Sequence, residues 1–328
     1  MPRGLKGVVL AAGLGTRLRP LTDRYAKPLI PFAGSTPLEL ALWRLAQLGV
    51  KDVAINSHHH ADQIAAAVAA NPFRQNLKLS HEPEILGTGG VYNPLRSWQG
   101  HDDLLVINGD IISTIDLGAL CRRHQESAAL ATMALLPAVI PGESAVFHQN
   151  DVVVGIGKTP PAGGAAVQAG NYGCIQILSR AFVDLLPTSG TFDVINAGYL
   201  PALAHGLKIS AYVHQGFWHD IRTPQFYWLA LKDYLASAER DPSDPVGLAS
   251  CHKQRQVTFE RRGTVLVNAA SRIAPSAKLG PFVIVEGGCE IGADVLISDS
   301  LLLPGARVVE GAVVKNAIIG KDLRIALG

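Results

Sequence analysis

The order of apolar and polar positions divides the chain into two parts with different periods. Over residues 5–235, short runs rich in β-branched residues alternate with stretches of helical spacing. The runs that predict strands are Gly7–Ala11, Asp52–Asn56, Leu77–His81, Leu104–Asn108, Leu130–Leu136, Val152–Ile156, Cys174–Leu178 and Ile209–Val213. This alternation predicts a Rossmann-like α/β domain, with a mainly parallel sheet and helices on both faces. In such a sheet, ligands bind beyond the carboxyl ends of the strands.

Helical spacing is clearest in the segment before Gly49. Leu38, Leu42, Leu45 and Leu48 share one face of a helix that we expect to end at Gly49, because glycine readily adopts the left-handed conformation that ends helices. Two further predicted helices are Asp62–Ala70 and Pro224–Ala236. Residues 238–256 are polar and contain two prolines, so we predict a surface-exposed linker there. The predicted organisation is a catalytic domain at 1–237, the linker, and a second domain at 257–328.

The second part of the chain repeats every six residues. Aliphatic residues occupy eight consecutive positions at this spacing: Val267, Ile273, Leu279, Val285, Ile291, Ile297, Leu303 and Val309. The segment resembles the hexapeptide pattern of left-handed parallel β-helices, in which such residues stack into one internal column. We therefore predict a short left-handed β-helix with this column buried. An irregular β-sandwich is the alternative.

Composition narrows the class of protein and its partners. Apolar residues make up 48% of the 328 residues and charged residues 17%, as in a globular protein with a sizeable core. Basic residues exceed acidic ones by only 29 to 27, so we expect no nucleic-acid partner. The four cysteines form no CxxC pair, and no apolar run is long enough for a bilayer. These features predict a cytoplasmic protein with no disulfide framework, no signal peptide and no membrane partner.

The strongest local motif follows the first predicted strand. Leu10, Ala11, Ala12, Gly13, Gly15 and Thr16 lie in a run of small residues, followed by Arg17 and then Lys27. Small residues let backbone N–H groups approach phosphate oxygens closely, and the two cations add positive charge for a polyphosphate. The spacing is neither that of a P-loop nor that of a GxGxxG dinucleotide site. We therefore predict a loop that binds a nucleoside triphosphate.

The run Leu10–Pro20, together with Lys27-Pro28, resembles the signature of the nucleotidyl-sugar pyrophosphorylase family. Within that family it is most similar to the mannose-1-phosphate guanylyltransferases. Further matches follow in the family's order: Leu86–Gly90 to its second nucleotide loop, Asn108–Asp110 to its metal-binding strand end, Asn171–Gly173 to its sugar contact, and Trp218–Ile221 to its second metal-binding segment. Several members also carry a C-terminal left-handed β-helix. The resemblance covers essentially the whole chain. It implies a transferase that joins a nucleoside triphosphate to a sugar-1-phosphate and releases pyrophosphate.

Two aspartates are the predicted metal ligands. Asp110 follows an apolar strand and Gly109, and a carboxylate at a strand's carboxyl end is well placed to hold Mg²⁺. Asp220 follows an aromatic residue and a histidine, and together the two aspartates would bracket one ion. A turn or helix-cap aspartate is the alternative interpretation of each. We predict that Arg17, Lys27 and Asp110 are catalytic, because cations and fixed dipoles offset the repulsion between two phosphate anions.

The sugar-phosphate residues rest on the resemblance. It implies that Lys158 binds the sugar phosphate and that Asn171 and Gly173 contact the sugar; a solvated strand-end lysine is the alternative for Lys158. The family carries Glu-Lys-Pro where this chain has Gly157-Lys158-Thr159, so the identity of the sugar is open.

The base is predicted from Glu82, with Gly87 and Thr88 as further nucleotide contacts. Glu82 lies five residues before Gly87, where uridylyl and thymidylyl relatives commonly place glutamine. A carboxylate only accepts hydrogen bonds, which suits the adjacent N–H donors of guanine. We therefore expect GTP with mannose-1-phosphate. The alternatives are a uridylyltransferase acting on a glucose-, N-acetylglucosamine- or muramic-type phosphate, and a non-catalytic nucleotide-sugar-binding subunit. The hexapeptide segment favours a homo-oligomer.

Overall fold

The computed structural model describes residues 4–73, 75–161, 167–240, 244 and 246–327. The chain forms two units: one comprises residues up to Leu14 and Ala41–Trp218, and the other comprises Gly15–Leu40 and His219–Gly328. Within the described ranges, none of the helices combines the length and apolar character that a membrane crossing needs. The predicted boundaries at 1–237, 238–256 and 257–328 stay predictions.

Strands of the first part of the chain lie close to where the apolar runs predict them. In order they are β1 Leu5–Leu10, β2 Asp52–Ser57, β3 Asn76–His81, β4 Asp103–Asn108, β5 Ile111–Ser113, β6 Ala131–Leu136, β7 Ala145–Gln149, β8 Val152–Gly157, β9 Gln168–Leu178, β10 Ile209–Val213 and β11 Trp218–Asp220. Nine of these form one sheet in the order β3-β2-β1-β4-β9-β6-β10-β8-β7.

The sheet is mixed: seven of its nine strands run in one direction, in keeping with the predicted mainly parallel sheet, and β8 and β9 run against them. Strands β3, β2, β1 and β4 are parallel neighbours, but β9 runs antiparallel to both β4 and β6. The antiparallel hairpin of β7 and β8 turns at Asn150 and Asp151, whose φ angles are 49° and 59°. A two-residue turn with both φ angles positive is typical of hairpins and favours such residues. The Asn-Asp pair is therefore a local signal of antiparallel pairing in this part of the sheet.

The helices are α1 Pro37–Gln47, α2 Ala61–Ala69, α3 Gly87–Gly90, α4 Arg96–Gln99, α5 Leu117–Ser127, α6 Arg180–Leu185, α7 Leu200–Ala204, α8 Pro224–Arg240 and α9 Leu248–Arg255. Short turns of 3₁₀ helix cover Thr16–Leu18, Leu21–Asp23, Lys27–Leu29 and Asn93–Leu95. The three predicted helices are confirmed as α1, α2 and α8, and Gly49 has the expected left-handed φ of 81°. Helix α5 was not predicted, although Asp116 caps it by accepting a hydrogen bond from the Ala119 N–H at 2.9 Å.

The core of the first unit lies on the central strands. Val8 on β1, Val106 on β4, Met133 on β6 and Ile209 on β10 are all fully buried. Strands buried on both faces have nearly continuous apolar sequences instead of alternating ones. This is why the apolar runs located these strands so closely. The polar loops described below follow the ends of these buried strands.

The strands of the C-terminal part are β12 Phe259–Arg262, β13 Val265–Asn268, β14 Arg272–Ile273, β15 Lys278–Leu279, β16 Val283–Val285, β17 Glu290–Ile291, β18 Leu296–Leu302, β19 Arg307–Val308, β20 Val313–Gly320 and β21 Leu323–Ala326. Parallel partners are at first separated by three full hexapeptides, as in Val265 with Val283 and Lys278 with Leu296. The separation then shortens by a single residue, as in Ile291 with Val308 and Leu296 with Val313.

This shortening by one residue breaks the predicted column at Val309. Ile291 and Ile297 are 4% and 2% exposed as expected, whereas Val309 is 75% exposed. Val308, the partner of Ile291, is only 7% exposed and occupies the inward position instead. The prediction that Val309 is buried is wrong because one residue fewer separates these partners, which shifts the alternation of faces by one.

Part of the predicted linker is a helix with a buried side. Leu248 and Cys251 of α9 are fully buried and His252 is 9% exposed. The expectation of an exposed linker is wrong at this helix. The polar composition did not indicate a helix with a buried side, because its polar residues His252 and Arg255 are held by specific contacts. The His252 ring bonds the Ala33 carbonyl at 2.6 Å, and Arg255 donates to the Gly34 carbonyl at 3.0 Å.

The turn at Ala33-Gly34 is also held by a buried carboxyl group. The φ angles are 49° at Ala33 and 82° at Gly34. The Gly34 N–H lies 3.0 Å from both side-chain oxygens of Glu286, whose residue is 2% exposed. Burial raises the pKa of Glu286 to about 7, while its hydrogen bonds to this turn and the charge of Arg255 act against the rise. Residues 33–34 are thus tied to the hexapeptide segment within the second unit.

Candidate active site

The first loop begins where β1 ends. Ala11 and Ala12 are buried, whereas Gly13 is exposed. The Ala11 N–H donates to Oδ1 of Asn56 at 2.6 Å, so the loop's first residue is bound to the end of β2. Asn56 was not among the predicted site residues. A polar residue at the end of a predicted strand beside β1 was the signal that would have found it.

The loop continues into a turn that requires glycine. Gly15 has a φ of 63°, and a Cβ there would lie 2.7 Å from Cγ2 of Thr22. The Gly15 carbonyl accepts hydrogen bonds from the Leu18 N–H at 2.9 Å and the Thr22 hydroxyl at 2.8 Å. Leu18 is buried, which leaves Thr16 and Arg17 on the exposed side of the 3₁₀ turn. The Arg17 guanidinium is therefore accessible to an anionic ligand.

Lys27 lies beside Asp220, and both belong to the second unit. The Lys27 ammonium is 3.8 Å from Oδ1 of Asp220, and their side chains are 14% and 22% exposed. Next to Asp220, His219 lies 3.0 Å from Asp233; burial lowers the pKa of His219 despite the opposing effect of that carboxylate. The structure thus places Lys27, which is predicted to bind phosphate, beside Asp220, which is predicted to bind the metal.

Asp110 follows β4 in the first unit, at the same sheet edge as the first loop. Leu10 of β1 pairs in parallel with Asn108 of β4, and the Gly109 N–H donates to the Leu10 carbonyl at 2.8 Å. The carboxyl ends of both strands therefore meet at one edge of the sheet. Asp110 is thus next to the start of the first loop.

The second loop needs glycine because another segment crosses it. A Cβ on Gly87, whose φ is 78°, would lie 2.5 Å from the carbonyl oxygen of Phe192. The Gly89 N–H donates to this same carbonyl at 2.9 Å. Thr88 is exposed, and its hydroxyl accepts from the Val194 N–H at 3.2 Å. The loop is therefore fixed by residues 192–194.

Glu82 is buried between the second loop and Asn56. Its residue is 1% exposed, and its two oxygens accept hydrogen bonds from the Asn56 amide at 2.8 Å and the Leu86 N–H at 2.9 Å. The predicted contact with a guanine base therefore falls on a carboxyl group that already has two protein donors. Its reading of the base stays a prediction.

Of the predicted sugar-phosphate residues, Lys158 lines a cavity of about 380 Å³, together with Glu143 and Gly157. Lys158 is exposed, but Asn171 is only 3% exposed. The Asn171 amide donates to Glu143 Oε2 at 2.8 Å and accepts from the Ile140 N–H at 3.4 Å. Asn171 thus holds Glu143, one of the residues that line this cavity. Glu143 was not among the predicted site residues, and no motif in the sequence marks it.

Gly173 approaches the backbone of a neighbouring strand. A Cβ there would lie 3.2 Å from the Ala134 carbonyl oxygen, and the Gly173 carbonyl accepts from the Trp218 indole N–H at 2.9 Å. This position therefore fixes Trp218, the residue two before Asp220. The structure gives Gly173 a packing role, and its contact with a sugar stays a prediction.

Asp110 and Asp220, the predicted metal ligands, belong to different units. Within the described ranges, no three His, Cys, Asp or Glu side chains are grouped so that they could hold an ion by themselves. Asp110 and Asp220 offer carboxylate oxygens, the donors that Mg²⁺ prefers, and Mg²⁺ usually takes one or two carboxylates together with substrate phosphates. Each aspartate by itself therefore has the donor chemistry for an ion that also takes phosphate oxygens as ligands.

Two glycine-bearing loops and an aspartate beyond the carboxyl ends of strands define the class of a nucleotide-binding α/β enzyme. Comparison of the sequence with known protein families makes this assignment more specific. The profile described as Nucleotidyl transferase matches residues 6–143, and the profile described as GMPPB C-terminal domain matches residues 261–327.

Relatives align with almost the whole chain. Probable mannose-1-phosphate guanylyltransferase 1 of Oryza sativa subsp. japonica is 30% identical, covering 96% of this chain and 86% of its own. Mannose-1-phosphate guanylyltransferase of Mycobacterium tuberculosis is 28% identical, covering 94% and 82%. UTP–glucose-1-phosphate uridylyltransferase of Synechocystis is 25% identical, covering 97% and 89%. The chain belongs to the nucleotidyl transferase family, and it is a nucleotidyltransferase.

The fold agrees with this assignment. The crystal structure of HddC from Yersinia pseudotuberculosis, complexed with GMP-PN, superposes with a TM-score of 0.57 at 23% identity. It covers 70% of this chain and 99% of HddC. The shared part is therefore the nucleotidyltransferase-like α/β fold.

Proposed function

We propose that this enzyme transfers the guanylyl group of GTP to mannose-1-phosphate, which yields GDP-mannose and pyrophosphate. The observation that carries the proposal is the likeness to relatives named mannose-1-phosphate guanylyltransferase, which extends over 94–96% of this chain. It therefore includes the C-terminal segment as well as the nucleotide loops. A sugar-phosphate oxygen attacks the α-phosphorus in line, and pyrophosphate leaves.

The proposed roles follow from charge and position. The backbone of Leu10–Thr16, with Gly87 and Thr88, would hold the nucleotide. Arg17 and Lys27 would bind the triphosphate and stabilise the departing pyrophosphate, because both reactants are anions and cations reduce their repulsion. Lys158 would bind the sugar phosphate. Asn171 and Gly173 would shape the sugar site.

Glu143 adds a proposed contact to the sugar site. Its carboxylate lines the same cavity as Lys158 and accepts hydrogen bonds only. It therefore suits sugar hydroxyl groups, while the Lys158 ammonium suits the phosphate. A cavity of about 380 Å³ lies within the usual range for small-molecule sites.

Mg²⁺ is the proposed cofactor, with Asp110 and Asp220 as its protein ligands. When bound, the ion would neutralise phosphate charge during the transfer. The 3.8 Å approach of Lys27 to Asp220 supports a role for this aspartate at the phosphates. Asp110 would act from the end of β4, beside the first loop.

The finer architecture is also proposed. The separation of parallel partners, close to three hexapeptides throughout, supports a left-handed β-helix at 257–328. The free cysteines at 121, 174, 251 and 289 are compatible with a reducing cytoplasm. The β-helix would serve assembly of a homo-oligomer. Light scattering on the purified protein tests the assembly, and a monomer at all concentrations would contradict it.

A grid of nucleotides against sugar phosphates tests the reaction. Purified protein with Mg²⁺, GTP and mannose-1-phosphate should release pyrophosphate faster than with any other pair. A preference for UTP with glucose-1-phosphate would favour the uridylyltransferase, a candidate that the Synechocystis relative supports. Lys27→Ala should lower kcat by about 10²-fold or more, and Lys78→Ala, on exposed β3, is the matched control. Full activity in the Lys27 variant would refute its role.

A further inference from the structure

Two buried polar side chains connect the two nucleotide loops within the first unit. The Ala11 N–H donates to Asn56 Oδ1 at 2.6 Å, Asn56 Nδ2 donates to Glu82 Oε1 at 2.8 Å, and the Leu86 N–H donates to Glu82 Oε2 at 2.9 Å. Asn56 is 4% and Glu82 1% exposed. We name Asn56 and Glu82, with these three hydrogen bonds, the loop brace.

The ends of the loop brace are the first residue after β1 and the residue before Gly87. Its middle is anchored to the sheet, because the Glu82 N–H donates to the Ser57 carbonyl at 2.8 Å. The His58 ring also lies 2.8 Å from the Glu82 carbonyl. The backbones of both loops are therefore tied to one point at the ends of β2 and β3.

The orientation of the loop brace is determined by its partners. A backbone N–H can only donate, so the amide oxygen of Asn56 must face Ala11, and its NH₂ group must face the carboxylate. Burying such groups is costly unless each one is hydrogen-bonded. The pair supplies acceptors for the backbone N–H groups of Ala11 and Leu86, which apolar residues in the same space could not do.

We propose that Asn56 and Glu82 are positioning residues for nucleotide binding, and that Glu82 acts through the loop backbone instead of reading the base. This inference rests on the proposed function. The loop brace would hold the N–H groups of both loops at the spacing that a bound nucleotide requires. Displacement of such groups by about 1 Å costs on the order of a hundredfold in rate.

Exchanging the two side chains provides the test. In Glu82→Gln alone, two donors meet. The NH₂ group of the new glutamine faces the NH₂ group of Asn56; if the Asn56 amide flips to accept from it, the Asn56 NH₂ group then faces the Ala11 N–H. In Asn56→Asp alone, two carboxyl groups face each other. The double variant Asn56→Asp/Glu82→Gln restores an acceptor for each N–H, with the same formal charge.

The measured quantities are kcat, the KM for each substrate, and the melting temperature. Each single substitution should lower kcat/KM for GTP and for UTP by the same factor, on the order of tenfold or more. The KM for the nucleotide should rise, while that for the sugar phosphate stays unchanged. The double variant should recover most of the loss for both nucleotides.

Asn76 and Asp52 supply a matched control. Asn76 Nδ2 donates to Asp52 Oδ1 at 3.1 Å, at the opposite ends of β2 and β3, in an exposed position. The exchange Asn76→Asp/Asp52→Asn and its single variants should leave both KM values unchanged. They report the general effect of altering an amide–carboxylate pair between these strands.

Three results would overturn the proposal. One is a change in the ratio of GTP to UTP activity in Glu82→Gln that the double variant does not reverse, since this would mean that Glu82 contacts the base. Another is full activity in both single variants. The third is a double variant that fails to fold while the exposed exchange folds. Calorimetric titration with GTP measures nucleotide binding, and therefore the effect of the loop brace, without turnover. A wild-type enzyme that binds GTP but lacks transferase activity would thus count only against the proposed function.

Discussion

Glu286 should make the stability of this protein depend on pH in an unusual direction. The group is buried against the turn at Ala33-Gly34, and burial raises its pKa from 4.5 to about 7. Arg255, Tyr25, Tyr227 and Cys289 are the titratable groups that interact with it. Arg255 lowers the pKa of Glu286, but desolvation dominates.

The magnitude follows from the two pKa values. Below pH 4.5 the carboxyl group is protonated in both the folded and the unfolded chain. Between 4.5 and about 7 the unfolded chain ionises first, so the free energy of unfolding falls as the pH rises. The difference corresponds to about 3 kcal/mol, at 1.36 kcal/mol per pKa unit. Above about pH 7 this group causes no further change.

Glu286→Gln removes the titration while retaining a similar shape. Urea unfolding, followed by circular dichroism at half-unit steps from pH 4.5 to 8, should show the wild type losing about 3 kcal/mol relative to the variant. Glu290→Gln is the control, because Glu290 lies in the same segment in an exposed pair with Arg307 at 3.2 Å. Equal pH dependence in wild type and Glu286→Gln, or a wild type that gains stability relative to the variant, would refute the reasoning.

Other substitutions test the register, the second loop and a buried hydroxyl. Val308→Ala should lower the free energy of unfolding by about 2 kcal/mol and Val309→Ala by less than about 0.5 kcal/mol. The reason is that Val308 is 7% exposed and Val309 75% exposed. Equal losses in urea unfolding would contradict the pairing of Val308 with Ile291. Gly87→Ala should raise the KM for nucleotide, since its Cβ would meet the Phe192 carbonyl, whereas Gly49→Ala, in open space, should not; equal kinetics would refute the crossing. Tyr227→Phe should cost about 1 kcal/mol through its hydrogen bond to the Pro31 carbonyl, and an unchanged unfolding curve would argue against that bond.

The order of apolar and small residues was enough to locate the central strands and the first loop. Val8 and Val106 lie in strands buried on both faces, so their apolar neighbours are continuous and easy to recognise. Gly15 was recognised from the run of small residues that lets backbone N–H groups approach phosphate oxygens, and Gly87 from the resemblance of its loop to the family's second nucleotide loop. These constraints act on a residue and its near neighbours, and a single sequence records them directly.

Which distant groups share a hydrogen bond or a face depends on how the folded chain packs. Asn56 and Glu82 are 26 positions apart, and nothing local in either segment specifies their pairing. Glu143 reaches Asn171 across 28 positions, and the burial of Val308 instead of Val309 depends on the pairing of its strand with the one that carries Ile291. The orientation of β9 likewise depends on β4 and β6. Such choices are made by long-range packing and by the need of each buried polar group for a partner, which the order of residues alone does not specify.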